Sequence, residues 1–378
     1  MHVLQLTTEF IPHIWGGMGR SVTNLSEELS KKAKLTVIVY DYLFPRNSIE
    51  IEERNGYTIV WTPDLSYEKL AQFIDFSTVD VINVQAFFMA DLALKINKPI
   101  IYTIRSVEEE DFKIRGIEIT PEGLENIKNQ NLLIEHSSQL IVCSEAEKEV
   151  VLRYFPKCNA KINVIPNGYP VPKRDEEKKS QLRVNDKIKN PIILFVGRFS
   201  ERKGLHILVQ AMNRIVEEYP RVTLQVIGGH SGENDCEWFQ KLIENLSTKV
   251  KERMDYVGWI ESFDELQAYY ANASVLAVPS LYEPFGNIVL EAFYQRVPVV
   301  ATQVGGMAEI ITHKHTGILV KPEDPLALEE GLLEILNDEN LARNITEKAY
   351  ATVCTQYTWE RVAIDTVDVY KAVLSQRA

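Results

Sequence analysis

No uninterrupted apolar run in these 378 residues approaches the roughly 18 needed to cross a bilayer as a helix, so no transmembrane segment is expected. Cysteine is scarce. Cys143, Cys158, Cys236 and Cys354 stand far apart and none belongs to a Cys-x-x-Cys pair, which argues against a zinc site and against a disulfide framework. Positive charge is in deficit, with 41 Lys and Arg against 53 Asp and Glu and a net charge of −12. That balance suits neither nucleic acid nor an anionic membrane surface, and no run of Lys and Arg supplies a local exception. The opening residues, Met1 to Leu6, lack a basic stretch followed by a long apolar one, so the expectation is of no signal peptide and a cytoplasmic location. Also missing are a GxxxxGK[ST] loop, a GxGxxG fingerprint, an Asp-x-Asp motif, a repeat of solenoid period and any low-complexity tract.

What is present is ordinary globular composition, 45% hydrophobic and 25% charged, in a chain long enough for two domains. Short apolar runs alternate with amphipathic stretches. Val3–Thr7, Leu35–Tyr40, Val79–Val84, Ile100–Thr103 and Leu140–Cys143 read as strands, and Val22, Leu25 and Leu29 fall at helical spacing between two of them. The pattern restarts with Ile192–Val196, Thr223–Gly228, Val275–Val278, Val297–Ala301 and Gly317–Val320. Alternating strand and helix predicts parallel sheets covered on both faces, here as two doubly wound α/β domains. Between them, Pro170 to Lys179 is polar and proline-marked, as linkers are. Ligands of such folds bind outside the carboxyl ends of the strands, which for two facing domains means the cleft between them.

Three segments combine residue types that suit a diphosphate. After the first strand, His13-Ile14-Trp15 leads to Gly16-Gly17-Met18-Gly19-Arg20, where glycine lets the backbone approach an anion at a helix start; a plain tight turn explains it equally well. After Ile192–Val196 comes Gly197-Arg198-Phe199-Ser200-Glu201-Arg202-Lys203-Gly204. Arg198 and Lys203 there would neutralise a leaving diphosphate, although most such cations are merely solvated. After Val275–Val278 comes Glu283-Pro284-Phe285-Gly286-Asn287-Ile288-Val289-Leu290-Glu291. Its helix start would present the N–H groups of Gly286, Asn287 and Ile288, and its two glutamates suit hydroxyl recognition better than a shared metal; an ordinary N-terminal-turn acid plus a salt-bridged helical one is the plain alternative.

Taken together, these segments resemble the retaining glycosyltransferases of family 4. The match rests on Val196 to Arg198 with Lys203-Gly204-Leu205, the Glu-x7-Glu element Glu283 to Glu291, Pro298 to Thr302 with Val304-Gly305-Gly306, and the phrase Val164-Ile165-Pro166-Asn167-Gly168. It covers essentially the whole chain and is looser in the N-terminal half, at Gly16 to Gly19 and Val142 to Glu145. The resemblance implies the GT-B fold: two Rossmann-like doubly wound domains facing a central cleft. The implied boundaries are an N-terminal acceptor-binding domain at 1–168, a linker at 169–189, a C-terminal nucleotide-sugar domain at 190–355, and a final helix at 356–378 that returns to the N-terminal domain. It also implies roles. Arg198, Lys203 and Glu283 would be catalytic. Gly16, Gly17, Gly258, Gly286, Asn287, Ile288 and Glu291 would bind the donor, Glu291 through the ribose and Gly258 beside the base. Transfer would retain the anomeric configuration, need no metal and no further cofactor, and use a UDP-sugar as co-substrate.

At one position the family pattern fails. Following Ile100 to Ile104, where the family commonly has a His facing the donor sugar's C6 region, stands Arg105. It would either replace the His as donor to a 6-hydroxyl, or point away, or pair with an anionic group on donor or acceptor. The acidic run Glu108-Glu109-Glu110-Asp111 reads as a solvated loop, or as acceptor contacts at Glu108 and Glu109; His13 and Arg20 are further acceptor-side candidates. Trp259 reads as packing at a strand end. A sugar phosphorylase, a nucleotide-sugar epimerase and a non-catalytic nucleotide-sugar-binding subunit are alternatives, separable by whether UDP is released from a donor panel with and without acceptor.

Overall fold

The computed structural model describes residues 1–14, 16–41, 46–171, 190–229 and 233–376, with backbone alone for 233–236. The expected linker falls mostly at 172–189, outside the described residues. The chain divides into two compact units, one of Met1–Pro170 with Tyr357–Ala378 and the other of Val171–Gln356.

In the first unit the strands are β1 (His2–Thr7), β2 (Lys34–Tyr40), β3 (Glu50–Arg54), β4 (Tyr57–Thr62), β5 (Val81–Val84), β6 (Ile100–Thr103), β7 (Gln139–Val142) and β8 (Lys161–Val164). They form one sheet in the order β3-β4-β2-β1-β5-β6-β7-β8. Strand β1 is buried along its whole length, because side chains of a central parallel strand meet helices on both faces. Val3 faces the core shared with Val22, Leu25, Val362 and Tyr370, whereas Leu4 and Leu6 face the other core. The helix Gly17–Leu29 and the C-terminal helix Trp359–Ser375 therefore cover the same side of this sheet.

The sheet departs from the all-parallel expectation at one edge. β3 pairs antiparallel with β4, Arg54 opposite Tyr57. The two-residue connection is Asn55-Gly56, with φ of 47° and 87°, the left-handed pair that a tight hairpin requires. Glu50, Glu52, Glu53 and Arg54 make β3 a charged edge, which discourages further pairing but also hides the strand from a hydrophobic reading.

The second unit holds β9 (Ile192–Val196), β10 (Thr223–Ile227), β11 (Met254–Gly258), β12 (Val275–Val278), β13 (Val299–Thr302) and β14 (Ile318–Val320). All are parallel, in the order β11-β10-β9-β12-β13-β14. Chain direction across the sheet reverses between β9 and β12, and at that point the loops leaving the two strands diverge to leave a crevice. The helix Leu205–Glu218 after β9 buries Leu205, Leu208, Met212 and Ile215, one stripe at helical spacing. Two edge strands, β8 and β11, escaped the sequence reading because each is only partly buried and carries polar residues.

Candidate active site

The crevice at the β9–β12 reversal collects the C-terminal motif residues. Arg198 lies exposed in the turn after β9, and Lys203 ends the short 3-10 turn Glu201–Lys203 that precedes the helix Leu205–Glu218. From the β12 side, Glu283 leads into Gly286 and the helix Asn287–Tyr294. Lys203 Nζ and Glu283 Oε2 form an ion pair across 80 residues of chain, with the side chains only 14% and 12% exposed. Burial alone would raise the Glu283 carboxyl; Lys203, Arg202 and Arg198 outweigh it and hold Glu283 below the usual carboxylate range. Burial pulls Lys203 below an ordinary lysine, with Glu283 opposing and Arg202 and Arg198 assisting.

Arg202 was passed over in the sequence, where it stands between two more conspicuous neighbours. It is 6% exposed. Its guanidinium donates to the Tyr282 carbonyl at 3.1 Å and lies 5.7 Å from the Tyr282 ring centroid, while its own carbonyl accepts the Leu281 N–H at 2.8 Å. Arg202 thus ties the β9 turn to the segment carrying Glu283. Three cations and one carboxylate in this cluster leave it positive.

Gly286 caps the helix Asn287–Tyr294 with φ 106°, and that helix opens with no acidic residue in its first turn. The N–H groups at its start carry the positive end of the helix dipole. Glu291 is 8% exposed in the body of the same helix. Gly258 ends β11 with φ 92°, and its carbonyl accepts the Gly228 N–H at 2.9 Å. Beside it Trp259 is 46% exposed with its ring alongside Gly229, so it is a surface ring and not buried packing. His230 lies outside the described residues.

In the first unit the loop after β1 carries His13, Gly16 and Gly17. His13 Nδ1 is 2.6 Å from Asp41 Oδ2. Gly16 is in extended backbone, and nothing lies within 4 Å of where its Cβ would be. Gly17 begins the helix Gly17–Leu29, and Arg20 sits half-buried in its first turn. The acidic run is not a loop. Glu108 to Asp111 form the first turn of the helix Glu108–Arg115, where carboxylates meet the favourable end of the dipole. Glu110 is buried and accepts from the Tyr154 hydroxyl at 2.7 Å and Arg153 at 3.2 Å. Glu108 and Glu109 are half-buried, and Gln130 Oε1 accepts the Glu108 N–H at 3.0 Å.

Arg105 leaves the end of β6 and turns into polar surroundings. Its Nη1 donates to Asn167 Oδ1 at 3.1 Å, and its Nη2 to Gln85 Oε1. Gln85 in turn bonds Asn83, whose amide reaches Thr103 Oγ1 at 3.1 Å. No carboxylate among the described residues forms an ion pair with Arg105, and burial lowers its pKa from the ordinary arginine value. Its Nε is buried without a hydrogen-bond partner there, beside a cavity of about 20 Å³ lined in part by Cys143, Asn167, Trp359 and Thr366. That volume holds one water at most. Asn167 stands in the Val164 to Gly168 phrase already singled out, though nothing there marked it as a partner of Arg105, and Gln85 belongs to no motif that would have flagged it.

Among the described residues no group of three or more His, Cys, Asp or Glu is placed to hold a metal ion, and no helix is long and apolar enough to cross a membrane.

Comparison with known proteins matches this geometry. Residues 174–352 match the family model described as glycosyl transferases group 1, and residues 15–171 match that of glycosyltransferase family 4, so that the two together span most of the chain. An uncharacterised glycosyltransferase of Methanocaldococcus jannaschii is 29% identical, covering 99% of each chain. Among solved structures, sucrose-phosphate synthase of Thermosynechococcus elongatus superposes with a TM-score of 0.79 at 22% identity over all of both chains. HepE of Anabaena, crystallised with UDP-glucose, superposes with a TM-score of 0.73 at 20% identity over 98% of this chain and 100% of that one. The chain belongs to the group 1, family 4 glycosyltransferases of GT-B fold, enzymes that use a nucleotide-sugar donor.

Proposed function

We propose that this enzyme moves a hexose from a UDP-sugar, such as UDP-glucose or UDP-GlcNAc, to an acceptor hydroxyl with retention at the anomeric carbon and without a divalent ion. The observation that carries the proposal is the buried Lys203–Glu283 pair, flanked by Arg198 and Arg202, beside the helix that starts at Asn287. A diphosphate at that spot would meet protein cations where other transferases place a metal. The choice of uridine is supported by the HepE structural neighbour, whose crystal contains UDP-glucose.

In this reading Arg198 and Lys203 neutralise the charge that grows on the diphosphate as the bond from C1 to the phosphate oxygen breaks. The N–H groups of Gly286, Asn287 and Ile288 add to that anion site. Glu283, held ionised and aimed by Lys203, accepts hydrogen bonds from donor-sugar hydroxyls, Glu291 from the ribose, and the Gly258 backbone lies by the base. The acceptor oxygen bonds to C1 on the face the diphosphate leaves, and its proton passes to a phosphate oxygen. Gly16, Gly17 and Arg105 are assigned to the donor, and His13, Arg20, Glu108 and Glu109 to the acceptor.

The test is nucleoside-diphosphate release from a panel of UDP-, ADP- and GDP-sugars, with and without hydroxyl acceptors, followed by NMR of the product anomer. Release of UDP with a retained anomer, in the presence of EDTA, is expected. A preference for ADP- or GDP-sugars would remove the uridine assignment, and an inverted product would remove the mechanism. Full transfer by Glu283→Ala would remove the site.

A further inference from the structure

Two buried N–H groups of the first unit, Arg105 Nε–H and Trp359 Nε1–H, have no acceptor among the described residues. They come from distant parts of the chain. Arg105 follows β6, whereas Trp359 opens the C-terminal helix Trp359–Ser375 and is 6% exposed. Both residues line the same cavity of about 20 Å³. A buried N–H without an acceptor is costly, and two at one cavity call for a shared partner that accepts. A cavity of this size admits a single water, which needs two to four polar neighbours. Thr366 lines it as well and is buried. Its hydroxyl donates to the Val362 carbonyl at 2.7 Å and keeps lone pairs for a further donor. A water at this point accepts from Arg105 and Trp359 and donates to Thr366.

The backbone on either side of this cavity is fixed independently. A Cβ on Gly168 would stand 2.6 Å from the Trp359 nitrogen, and the Tyr169 N–H donates to the Tyr357 carbonyl at 2.7 Å. Asn167, next to Gly168, accepts from Arg105 Nη1 at 3.1 Å. We infer that one buried water joins Arg105 Nε to Trp359 Nε1, and that Trp359 is through it a positioning residue for the Arg105 guanidinium. With Nη1 on Asn167, Nη2 on Gln85 and Nε on the water, the planar fork is held along three of its edges. Each terminal nitrogen carries one further N–H, and the direction of both is then set before any sugar arrives. The inference rests on the donor role proposed above for Arg105 and adds to it the residue that aims the guanidinium.

Trp359→Phe keeps a ring but removes the indole N–H, and Thr366→Val removes the hydroxyl with little change of shape. Nitrogen-15 NMR of the full chain reads the site without substrate. The Arg105 Nε–H and Trp359 Nε1–H signals, identified by their loss in Arg105→Lys and Trp359→Phe, should each show a cross-peak to a long-lived water. Exchange of Arg105 Nε–H with solvent should quicken about tenfold in Trp359→Phe and in Thr366→Val, while the amide protons of β6 stay protected. Kinetics use the donor selected by the panel. Trp359→Phe should raise donor KM about three- to tenfold and move kcat less, the loss of one hydrogen bond. On an Arg105→Lys background it should raise KM less than about twofold, because the group it aims is gone. Thr366→Val carries the same comparison if Trp359→Phe does not fold. Lack of a water cross-peak at either N–H overturns the inference. So does an equal KM rise on both backgrounds, which is what lost packing alone would give. Absence of release from every donor overturns the transfer reading instead, and the NMR signals still decide the water site.

Discussion

Gly305 lies against the backbone of Glu283: a Cβ on Gly305 would stand 2.0 Å from the Glu283 carbonyl oxygen. The same oxygen accepts the Gly306 N–H at 3.0 Å. Gly305 also has φ of 50°. The loop after β13 thus clamps the loop after β12, and the clamp works only without a side chain. Gly305→Ala should lower stability by about 1–3 kcal/mol, from strained backbone alone, and should reduce transfer more than stability because Glu283 is displaced. Urea unfolding beside donor-panel kinetics checks both. By contrast Gly16→Ala, facing open space, should cost less than about 1 kcal/mol, and a raised donor KM in that variant would support close approach of the ligand to the backbone.

Removing Lys203 should be severe. Lys203→Met leaves Glu283 buried without its main partner and takes a cation from the proposed diphosphate site. Transfer should drop by about 10²–10³-fold, as when one preorganised charge-stabilising group is deleted. Combining it with Glu283→Gln should cost less than the two single losses added together, because the residues act as one unit. Strictly additive losses in that cycle would contradict coupling.

The pH dependence follows from the same pair. Glu283 is held below its ordinary value of 4.5, so its contribution to stability is complete above that value and disappears only as pH falls through the lower, folded one. Lys203 is also lowered, so on raising pH it loses its proton earlier than a free lysine, and the pair breaks from the alkaline side. The rate should therefore tolerate mild acid and fall early in alkali. Lys203→Arg should move the alkaline limb upward; an unmoved limb would assign it to another group.

Arg202 links two loops rather than contacting open solvent. Arg202→Met should leave the Tyr282 carbonyl without its donor and destabilise the second unit by about 1–3 kcal/mol. Hydrogen exchange around Leu281 and Tyr282 should quicken. Unchanged exchange there would show that Arg202 does not organise the segment.

Arg105 is satisfied on two nitrogens by neutral amide oxygens, which leaves N–H groups enough for a sugar hydroxyl. Neutral UDP-sugars should be turned over, with uronic-acid donors no better. A strict requirement for UDP-glucuronate would instead make Arg105 a carboxylate receptor. Arg105→Gln should weaken the first unit, because Gln85 and Asn167 lose their shared donor.

How much was legible beforehand varies with the kind of residue. The Glu283 to Glu291 element and the Arg198 to Lys203 segment could be read as a diphosphate site because their glycines, cations and helix start are close together in the chain. The alternating apolar runs likewise announced parallel α/β sheets, since strands buried on both faces must be apolar almost continuously. The charged edge strand β3 carried no such mark, although Asn55-Gly56 was a hairpin signal that could have revealed it. The acidic run Glu108 to Asp111 reads in the sequence as a solvated loop, whereas in the fold it opens a helix whose dipole favours it, with Glu110 buried against Tyr154 and Arg153.

The linear chain thus determined the architecture and the residue types of the candidate donor site, because hydrophobic period and glycine placement act locally. Tertiary structure alone decided the partners: Lys203 with Glu283, Gly305 under Glu283, Arg105 with Gln85 and Asn167, and His13 with Asp41. These pairs are tens of residues apart, and strand order brings them together at the carboxyl edge of one sheet or the other. A side chain's charge is written in its own residue, whereas its orientation and its burial depend on neighbours that only folding supplies.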